Sequence, residues 1–507
     1  MRHVDAYRPR PYTPTTMKLS LVAANAFSQR SPALIVFAFQ NERVATPTSL
    51  KSSVRRLSAK EFDGSDEQFL LMHTGGKPGV RAERILFAGL GKRAAFTTEK
   101  LRRATGIAVR RLRDAGIDRA TVQLVPETTD AAAAVADAAE LALYKFTEFK
   151  PATDKTTFKS LTICVSPESD SRALHAAVHR AQVVAEASNF ARSIGNLPGN
   201  VIYPATLADR ACELAKESHL KYTVLNRRAL EAGHFGGLLA VGGGSAREPH
   251  LIALEYNGAG KEQKPVALVG KAITFDTGGI SIKHADRMEE MKFDKCGGCA
   301  VLGILRAAAT LKLPVNLLGV IAAAENMPSA ASYRPGDIIT SYKGRGARGL
   351  TIEVINTDAE GRIVLGDALA YARERQPAAI IDFATLTGAC VVALGTFAAG
   401  LFGNDNTLVE KLRAAGERTG ERCWPLPLWQ EYKDKMKSDV ADQKNQADRG
   451  GGAVTAAGFL SKYVGDTPWA HFDIAGTAWT TEDRPYLGRG ATGYGVRLVL
   501  DVLQDWR

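Results

Sequence analysis

The sequence predicts an α/β protein, with a small N-terminal α/β domain followed by a larger C-terminal α/β domain whose mixed sheet is covered by helices on both faces. Three observations carry that prediction. Val266-Ala267-Leu268-Val269, Val315 to Ala322 and Ala379-Ile380-Ile381 are unbroken apolar runs separated by helical segments, the pattern of strands buried on both faces. Ala33-Leu34-Ile35-Val36-Phe37 and Ile85-Leu86-Phe87-Ala88 are further strand candidates ahead of them. At 507 residues and 45% hydrophobic content, the chain can bury cores for two or three domains and is not disordered.

Taken in order, residues 1–16 are proline-rich and basic and are expected to be a flexible extension, or to precede a start at Met17. A first domain is expected over residues 17–165. It opens with the strand-like Met17-Lys18-Leu19 and carries an alanine-rich helix from Asp130 to Tyr144. Residues 166–192 hold a connecting helix, with helical spacing from Ala173 to Arg192, and residues 193–507 form the larger domain. Within it, Thr351 to Ile355 alternates Ile352 and Val354 with polar neighbours and reads as a strand, while Ile363 to Arg375 repeats its apolar residues at helical spacing. Thr385 to Gly403 has no charge over nineteen residues, near the length of a membrane span. Its four glycines and three threonines instead predict a buried loop and strand. Gly242-Gly243-Gly244-Ser245 lacks the Gly-Lys-Ser/Thr ending of a phosphate loop and reads as a turn.

The chemistry concentrates between the strand at Thr351 and the helix at Ile363. There Asn356-Thr357-Asp358-Ala359-Glu360-Gly361-Arg362 places two carboxylates and a guanidinium in one turn, and Lys271, Asp276, Lys283 and Asp294 form a second cluster upstream. Turns after strands are where α/β folds put their chemistry. Brought together among apolar segments, Asp276, Asp294, Asp358 and Glu360 would repel one another unless positive charge neutralised them. Two divalent cations would do so, and a bridging carboxylate holds such ions roughly 3.5 to 4 Å apart. No His or Cys cluster accompanies these residues, so a structural zinc site is not expected. The plainer reading of Asp-Ala-Glu-Gly alone is a solvated turn with a helix cap.

These residues resemble the leucyl aminopeptidases, also called cytosol aminopeptidases. The family's Asn-Thr-Asp-Ala-Glu-Gly-Arg signature is matched at all seven positions from Asn356 to Arg362. The upstream cluster matches in Val269-Gly270-Lys271, Phe275-Asp276-Thr277-Gly278-Gly279, Ile282-Lys283 and Met291-Lys292-Phe293-Asp294. The likeness runs from about Asn196-Leu197-Pro198-Gly199-Asn200 to the end, more loosely before that. The resemblance implies that Asp276 and Glu360 bridge two metals, Mn²⁺ or Zn²⁺, with Asp358 completing one site and Lys271 with Asp294 the other. Lys271 would then be a neutral amine, which needs nearby cations to depress its pKa. Lys283 would stay charged and stabilise the oxyanion, and Arg362 would hold a bicarbonate ion acting as general base.

The implied reaction is attack of a metal-activated water on the first peptide bond of a short peptide, with the free α-amine on the other metal enforcing N-terminal cleavage. The implied assembly is a small N-terminal domain on a larger catalytic domain, six copies forming a homohexamer with active sites facing an internal cavity. Met291, Thr385, Gly388, Ala475 and Ala478 match the family's pocket for the first side chain, a small-walled apolar set suited to leucine-like residues with broad preference. Two positions depart. Ala478 stands where some members have methionine, which widens the pocket, and Lys295 stands where many carry methionine, its ammonium either drawing acidic side chains or pointing to solvent.

Six cysteines are sparse for this length and nothing suggests a secretory signal, so a reducing cytoplasm and no membrane partner are expected. Cys296-Gly297-Gly298-Cys299 is a lone CxxC, read as small buried residues in the helix after Asp294. Residues 1–160 hold 26 Lys and Arg against 16 Asp and Glu, nearly all of the net +11. Lys92, Arg93, Lys100, Arg102, Arg103, Arg110, Arg111 and Arg113 suggest a second function class, DNA binding through the N-terminal domain. Some bacterial members of the resembled family bind DNA as regulators or recombination accessory proteins, although no helix-turn-helix or zinc finger accompanies the charge here. A two-metal phosphoesterase is the third reading of the acidic cluster.

Overall fold

The computed structural model describes residues 17–42, 44, 46–50, 61–151 and 157–506, and the extension expected over residues 1–16 lies outside them. The described chain forms two compact units. One comprises the chain through Asn189 together with Glu482–Arg489, the other Phe190–Thr481 and the chain from Gly490 onward. Glu482–Arg489 thus departs from the expected run of residues 193–507. Arg110 donates to the backbone carbonyls of Arg484 and Pro485, and Tyr486 donates to Glu99 at 3.0 Å while packing on Ala138, Leu141 and Ala142.

In the first unit β1 (Lys18–Ala23), β2 (Leu34–Ala38), β3 (Phe69–His73), β4 (Arg84–Gly89), β5 (Arg119–Gln123) and β6 (Ser160–Val165) form one sheet in the order β1-β6-β5-β2-β4-β3. The pairings are parallel except β3 with β4. Parallel strands need cover, and α1 (Thr98–Asp114) and α2 (Thr129–Leu143) supply it through Leu101, Ala108, Leu112, Val135 and Ala139 against Ile35, Leu86, Val122 and Ile163. The Thr128 hydroxyl accepts from the Ala131 amide at 3.2 Å and so caps α2.

The basic cluster of this unit is largely neutralised. Arg93 pairs with Glu42 at 2.6 Å and Lys100 with Asp66 at 2.7 Å; Arg103 pairs with Glu67, and buried Arg102 lies between Glu99 and Asp137. Arg113 pairs with Asp114 and Arg111 stacks over Phe69. Glu42, Asp66, Glu67 and Asp137 are far from α1 in sequence, so a count of cations along one helix could not anticipate them. Among the described residues, five of the eight cations that suggested DNA binding are paired with carboxylates.

The chain enters the second unit through α3 (Ser171–Asn196). Thirteen strands follow among the described residues: β7 (Lys221–Leu225), β8 (His250–Asn257), β9 (Val266–Asp276), β10 (Asn316–Asn326), β11 (Ile338–Thr340), β12 (Thr351–Glu353), β13 (Ala379–Ala384), β14 (Ala399–Gly403), β15 (Cys423–Pro425), β16 (Gln443–Lys444), β17 (Trp469–Asp473), β18 (Trp479–Thr480) and β19 (Gly490–Ala491). Eight make a mixed sheet in the order β15-β14-β17-β13-β9-β10-β8-β7, with β17, β13, β9 and β10 mutually parallel at its centre. Of the remainder, β11, β12 and β16 form one small sheet and β18 with β19 another.

α4 (Cys296–Leu311) and α5 (Gly361–Glu374) cover opposite faces of the large sheet. Ala267, Val269, Val320 and Ala322 share a core with Ile363, Val364 and Leu369 of α5. On the other face α4 approaches so closely that a Cβ on Gly270 would lie 2.6 Å from the Gly298 Cα, and one on Gly297 would lie 2.1 Å from the Phe383 carbonyl oxygen. The glycines of the CxxC motif therefore serve this contact, and Cys296 and Cys299 are buried beside them.

The uncharged stretch from Thr385 to Gly403 ends in the expected buried strand, β14, but the segment before it is not a buried loop. It contains α6 (Gly388–Leu394), capped by the Thr387 side chain accepting from the Cys390 amide at 3.0 Å and ended by Gly395 at φ +64. Val392 is 89% exposed and Phe397 77%. Among the described residues no helix is long and apolar enough to cross a membrane.

Candidate metal centre

The acidic residues meet at the carboxyl ends of the central strands, where open α/β sheets place their sites. Asp276 is the last residue of β9, Asn326 the last of β10, and Thr385 follows β13. The turn holding Asp358 and Glu360 leads from β12 into α5. Carboxylate oxygens of Asp276, Asp358 and Glu360 lie within 4.8 Å of one another. Lys271, pointing in from the middle of β9, reaches both oxygens of Asp294 at 2.8 Å, Glu360 at 2.9 Å and the Thr385 carbonyl at 2.9 Å. Lys283 contacts Asp276 at 2.8 Å and also Asp358. Six of the seven charged residues of the two sequence clusters, all but Arg362, therefore form one network.

Supporting groups hold these side chains in place. Asp276 accepts from the Gly278 amide and from the Asn326 side chain, each at 2.9 Å, and Asn326 also donates to the Thr357 carbonyl at 3.0 Å. Tyr333 donates to that same carbonyl at 2.8 Å. The Thr385 hydroxyl donates to Asp294 at 2.6 Å. A Cβ on Gly361 would sit 2.6 Å from the Lys271 Cε and 2.7 Å from its Nζ, so only glycine leaves room for that amine at the start of α5. Sequence reasoning assigned nothing to Asn326, Tyr333 or Gly361. Gly361 lies inside the matched signature, whereas Asn326 was detectable only as a polar residue ending an apolar strand.

The electrostatics fit added cations. Burial, reinforced by Asp276, pushes Glu360 and Asp358 above the usual carboxylate range, and burial pushes Asp294 up against the pull of Lys271. Burial works to lower Lys271, but Asp294, Glu360 and Asp276 outweigh it and hold the amine protonated; Asp276 and Glu360 do the same for Lys283. Two lysines alone thus leave the carboxylates short of positive charge, and oxygen donors so arranged suit divalent metals. Lys271 must shed its proton to act as a ligand, as two cations taking over its carboxylates would favour. Arg362, in the first turn of α5, is buried with no hydrogen-bond partner at Nε, and burial pulls it down to about 10.

The pocket candidates fall into two groups. Thr385 belongs to the network, whereas Met291 is half-buried on the short helix Met288–Lys295 and Ala478 is buried. Gly388 opens α6 with nothing within 4 Å of the Cβ position, and Ala475 follows β17. Lys295 neither reaches a pocket nor points to solvent. It is fully buried, and its ammonium donates to the backbone carbonyls of Gly195 at 3.1 Å, Leu197 at 2.8 Å and Lys292.

The chain matches the catalytic domain of the cytosol aminopeptidase family over residues 189–500 and its N-terminal domain over residues 36–153. A probable cytosol aminopeptidase of a Geobacter species is 44% identical over 497 residues, covering 96% of this chain and all of that relative. One from Cenarchaeum symbiosum is 46% identical over 85% of this chain and 87% of its own length. Among solved structures, a mutant of tomato leucine aminopeptidase superposes with a TM-score of 0.86 at 30% identity over 98% of both chains. The bottromycin maturation enzyme BotP in complex with Mn superposes with a TM-score of 0.82 at 32% identity, covering 94% of this chain and 99% of that one. With its acidic centre at the sheet's carboxyl edge and both domains matched, the chain belongs to the cytosol aminopeptidase family.

Proposed function

We propose that this aminopeptidase uses two divalent cations, Mn²⁺ or Zn²⁺, to remove a leucine-like N-terminal residue from short peptides in the cytoplasm. The observation that carries this reading is the convergence of the Asp276, Asp358 and Glu360 oxygens within 4.8 Å, with Lys271 and Asp294 directly beside them. In this reading Lys271, Asp276, Asp294, Asp358 and Glu360 would hold the two cations between them. When bound, the cations acidify water and polarise the scissile carbonyl. The protein's own residues do the rest.

Lys283 is partly solvent-accessible, at 24% of its side chain, where Lys271 is at 3%. It is therefore the ammonium placed to meet an incoming carbonyl and steady negative charge developing on its oxygen. Arg362, with an unpartnered Nε, offers a donor to a planar anion such as bicarbonate, whose shape suits a guanidinium fork. Thr385, Gly388, Ala475, Ala478 and Met291 frame the first side chain with small or apolar groups, consistent with leucine-like residues and broad tolerance.

The test is release of leucine from a leucyl amide and of other residues from an aminoacyl panel, with added Mn²⁺ and after chelation. Metal-dependent release that is greatest for leucine-like residues and abolished in Glu360→Gln is expected. Absence of metal-dependent release would overturn the reading, and turnover of a phosphate ester without peptide cleavage would replace it with the phosphoesterase.

A further inference from the structure

One buried carboxylate outside the metal network ties its supports together. Asp473, the last residue of β17, is 1% exposed, and its four hydrogen bonds all come from two loops at the carboxyl edge of the sheet. Oδ1 accepts from the Leu386 amide at 3.2 Å, the Thr387 amide at 3.4 Å and the Ala475 amide at 3.2 Å, and Oδ2 accepts from the Thr387 hydroxyl at 2.6 Å. The first loop is the one through which Thr385 gives its carbonyl to Lys271 and its hydroxyl to Asp294. It also sets the first turn of α6, because the Thr387 hydroxyl that donates to Asp473 accepts from the Cys390 amide.

We infer that Asp473 is a positioning residue that fixes the 385–388 and 474–476 loops, and through Thr385 sets the geometry of Lys271 and Asp294 at one of the two proposed metal sites. The inference rests on the two-metal reading above and sharpens it, because it predicts an asymmetry. Asp276 and Asp358 hang from β9 and from the turn before α5, with no hydrogen bond to the Asp473 loops. A fault at Asp473 should therefore reach the Lys271–Asp294 site first. The same loops carry Thr385, Gly388 and Ala475, so substrate affinity should weaken together with that metal.

Asp473→Asn isolates the role. The amide is isosteric, but its nitrogen cannot accept the Thr387 hydroxyl proton and can only donate to that oxygen, and the negative charge facing the Leu386, Thr387 and Ala475 amides is lost. The experiment counts Mn²⁺ bound per full-length chain by equilibrium dialysis of metal-free protein across a range of free Mn²⁺, alongside melting temperature and the kinetics of leucyl amide hydrolysis. The wild type should bind two Mn²⁺. Asp473→Asn should keep one with unchanged affinity, bind the second at least tenfold more weakly, show a raised KM, and recover activity in excess Mn²⁺ without a matching fall in melting temperature.

Thr387→Val, which removes the hydroxyl donor and leaves Asp473 intact, should shift the second site in the same direction and keeps the test decisive if Asp473→Asn does not fold. Both sites retaining wild-type affinity in a folded variant would overturn the inference, as would equal weakening of both in proportion to lost stability. A wild type that binds no Mn²⁺ would overturn the two-metal reading and this inference with it.

Discussion

At the residue scale the centre is a problem of charge. Lys271 and Lys283 lie within 2.9 Å of carboxylates in a buried setting, yet Asp294, Asp358 and Glu360 remain above their usual pKa because burial outweighs the help that the lysines supply. Metal binding must therefore displace protons from Glu360, Asp294 and the Lys271 ammonium. The sign follows: apparent Mn²⁺ affinity should rise with pH through the neutral range, with net proton release visible as buffer-dependent heats in calorimetry. A pH-independent affinity would contradict the charge assignment. Asp276→Asn or Glu360→Gln removes a carboxylate oxygen from the proposed metal centre and should lower both Mn²⁺ affinity and leucyl amide turnover by about a hundredfold. Gly361→Ala drives a methyl to within 2.6 Å of Lys271, an overpacking that costs roughly 1–3 kcal/mol. It should displace the amine, so that metal affinity falls more than stability does; an unchanged metal affinity in the folded variant would show that Lys271 does not need that space.

At the scale of elements, what could be read from sequence was what is local to sequence. The turn from Asn356 to Arg362 keeps its chemistry within seven residues, and the apolar runs at Val266, Val315 and Ala379 became β9, β10 and β13 because strands buried on both faces have no polar interruptions. Contacts made across the fold stayed hidden: Asn326 on Asp276, the Thr385 hydroxyl on Asp294, and Asp66 and Glu67 on Lys100 and Arg103 of α1. Lys295 was misread for the same reason, since three backbone carbonyls from two segments receive its ammonium.

A further hidden feature lies in α2, where Glu140 is 1% exposed and burial, with Glu186 adding to it, pushes its carboxyl from 4.5 up to about 8. Folding therefore takes up a proton between those values. Stability should fall as pH rises from about 4.5 toward 8, by up to about 1.4 kcal/mol per pH unit. Glu140→Gln should flatten that decline, read as melting temperature against pH with Mn²⁺ held saturating; an unchanged slope would show that Glu140 is ionised in the folded chain.

At the scale of the whole molecule, two compact units each bring their own sheet and core, and the site of proposed chemistry lies wholly within the second. The division between a smaller and a larger α/β domain was legible from the apolar runs, because each unit repeats the same physical pattern of covered parallel strands. The return of Glu482–Arg489 to the first unit was not, because nothing in that short polar stretch reports its partners. Most cations of the basic cluster are paired with carboxylates, which weakens the field they offer a phosphate backbone, so gel retardation of duplex DNA at low salt should be weak and unaffected by Arg93→Ala and Arg103→Ala; a strong, salt-sensitive shift lost in those variants would support DNA binding.

The most direct measurement of the central claim is anomalous diffraction from crystals of the metal-free protein soaked in Mn²⁺. Two peaks about 3.5–4 Å apart, enclosed by Lys271, Asp276, Asp294, Asp358 and Glu360, are the expected result. No peak there, or manganese bound only elsewhere, would contradict it.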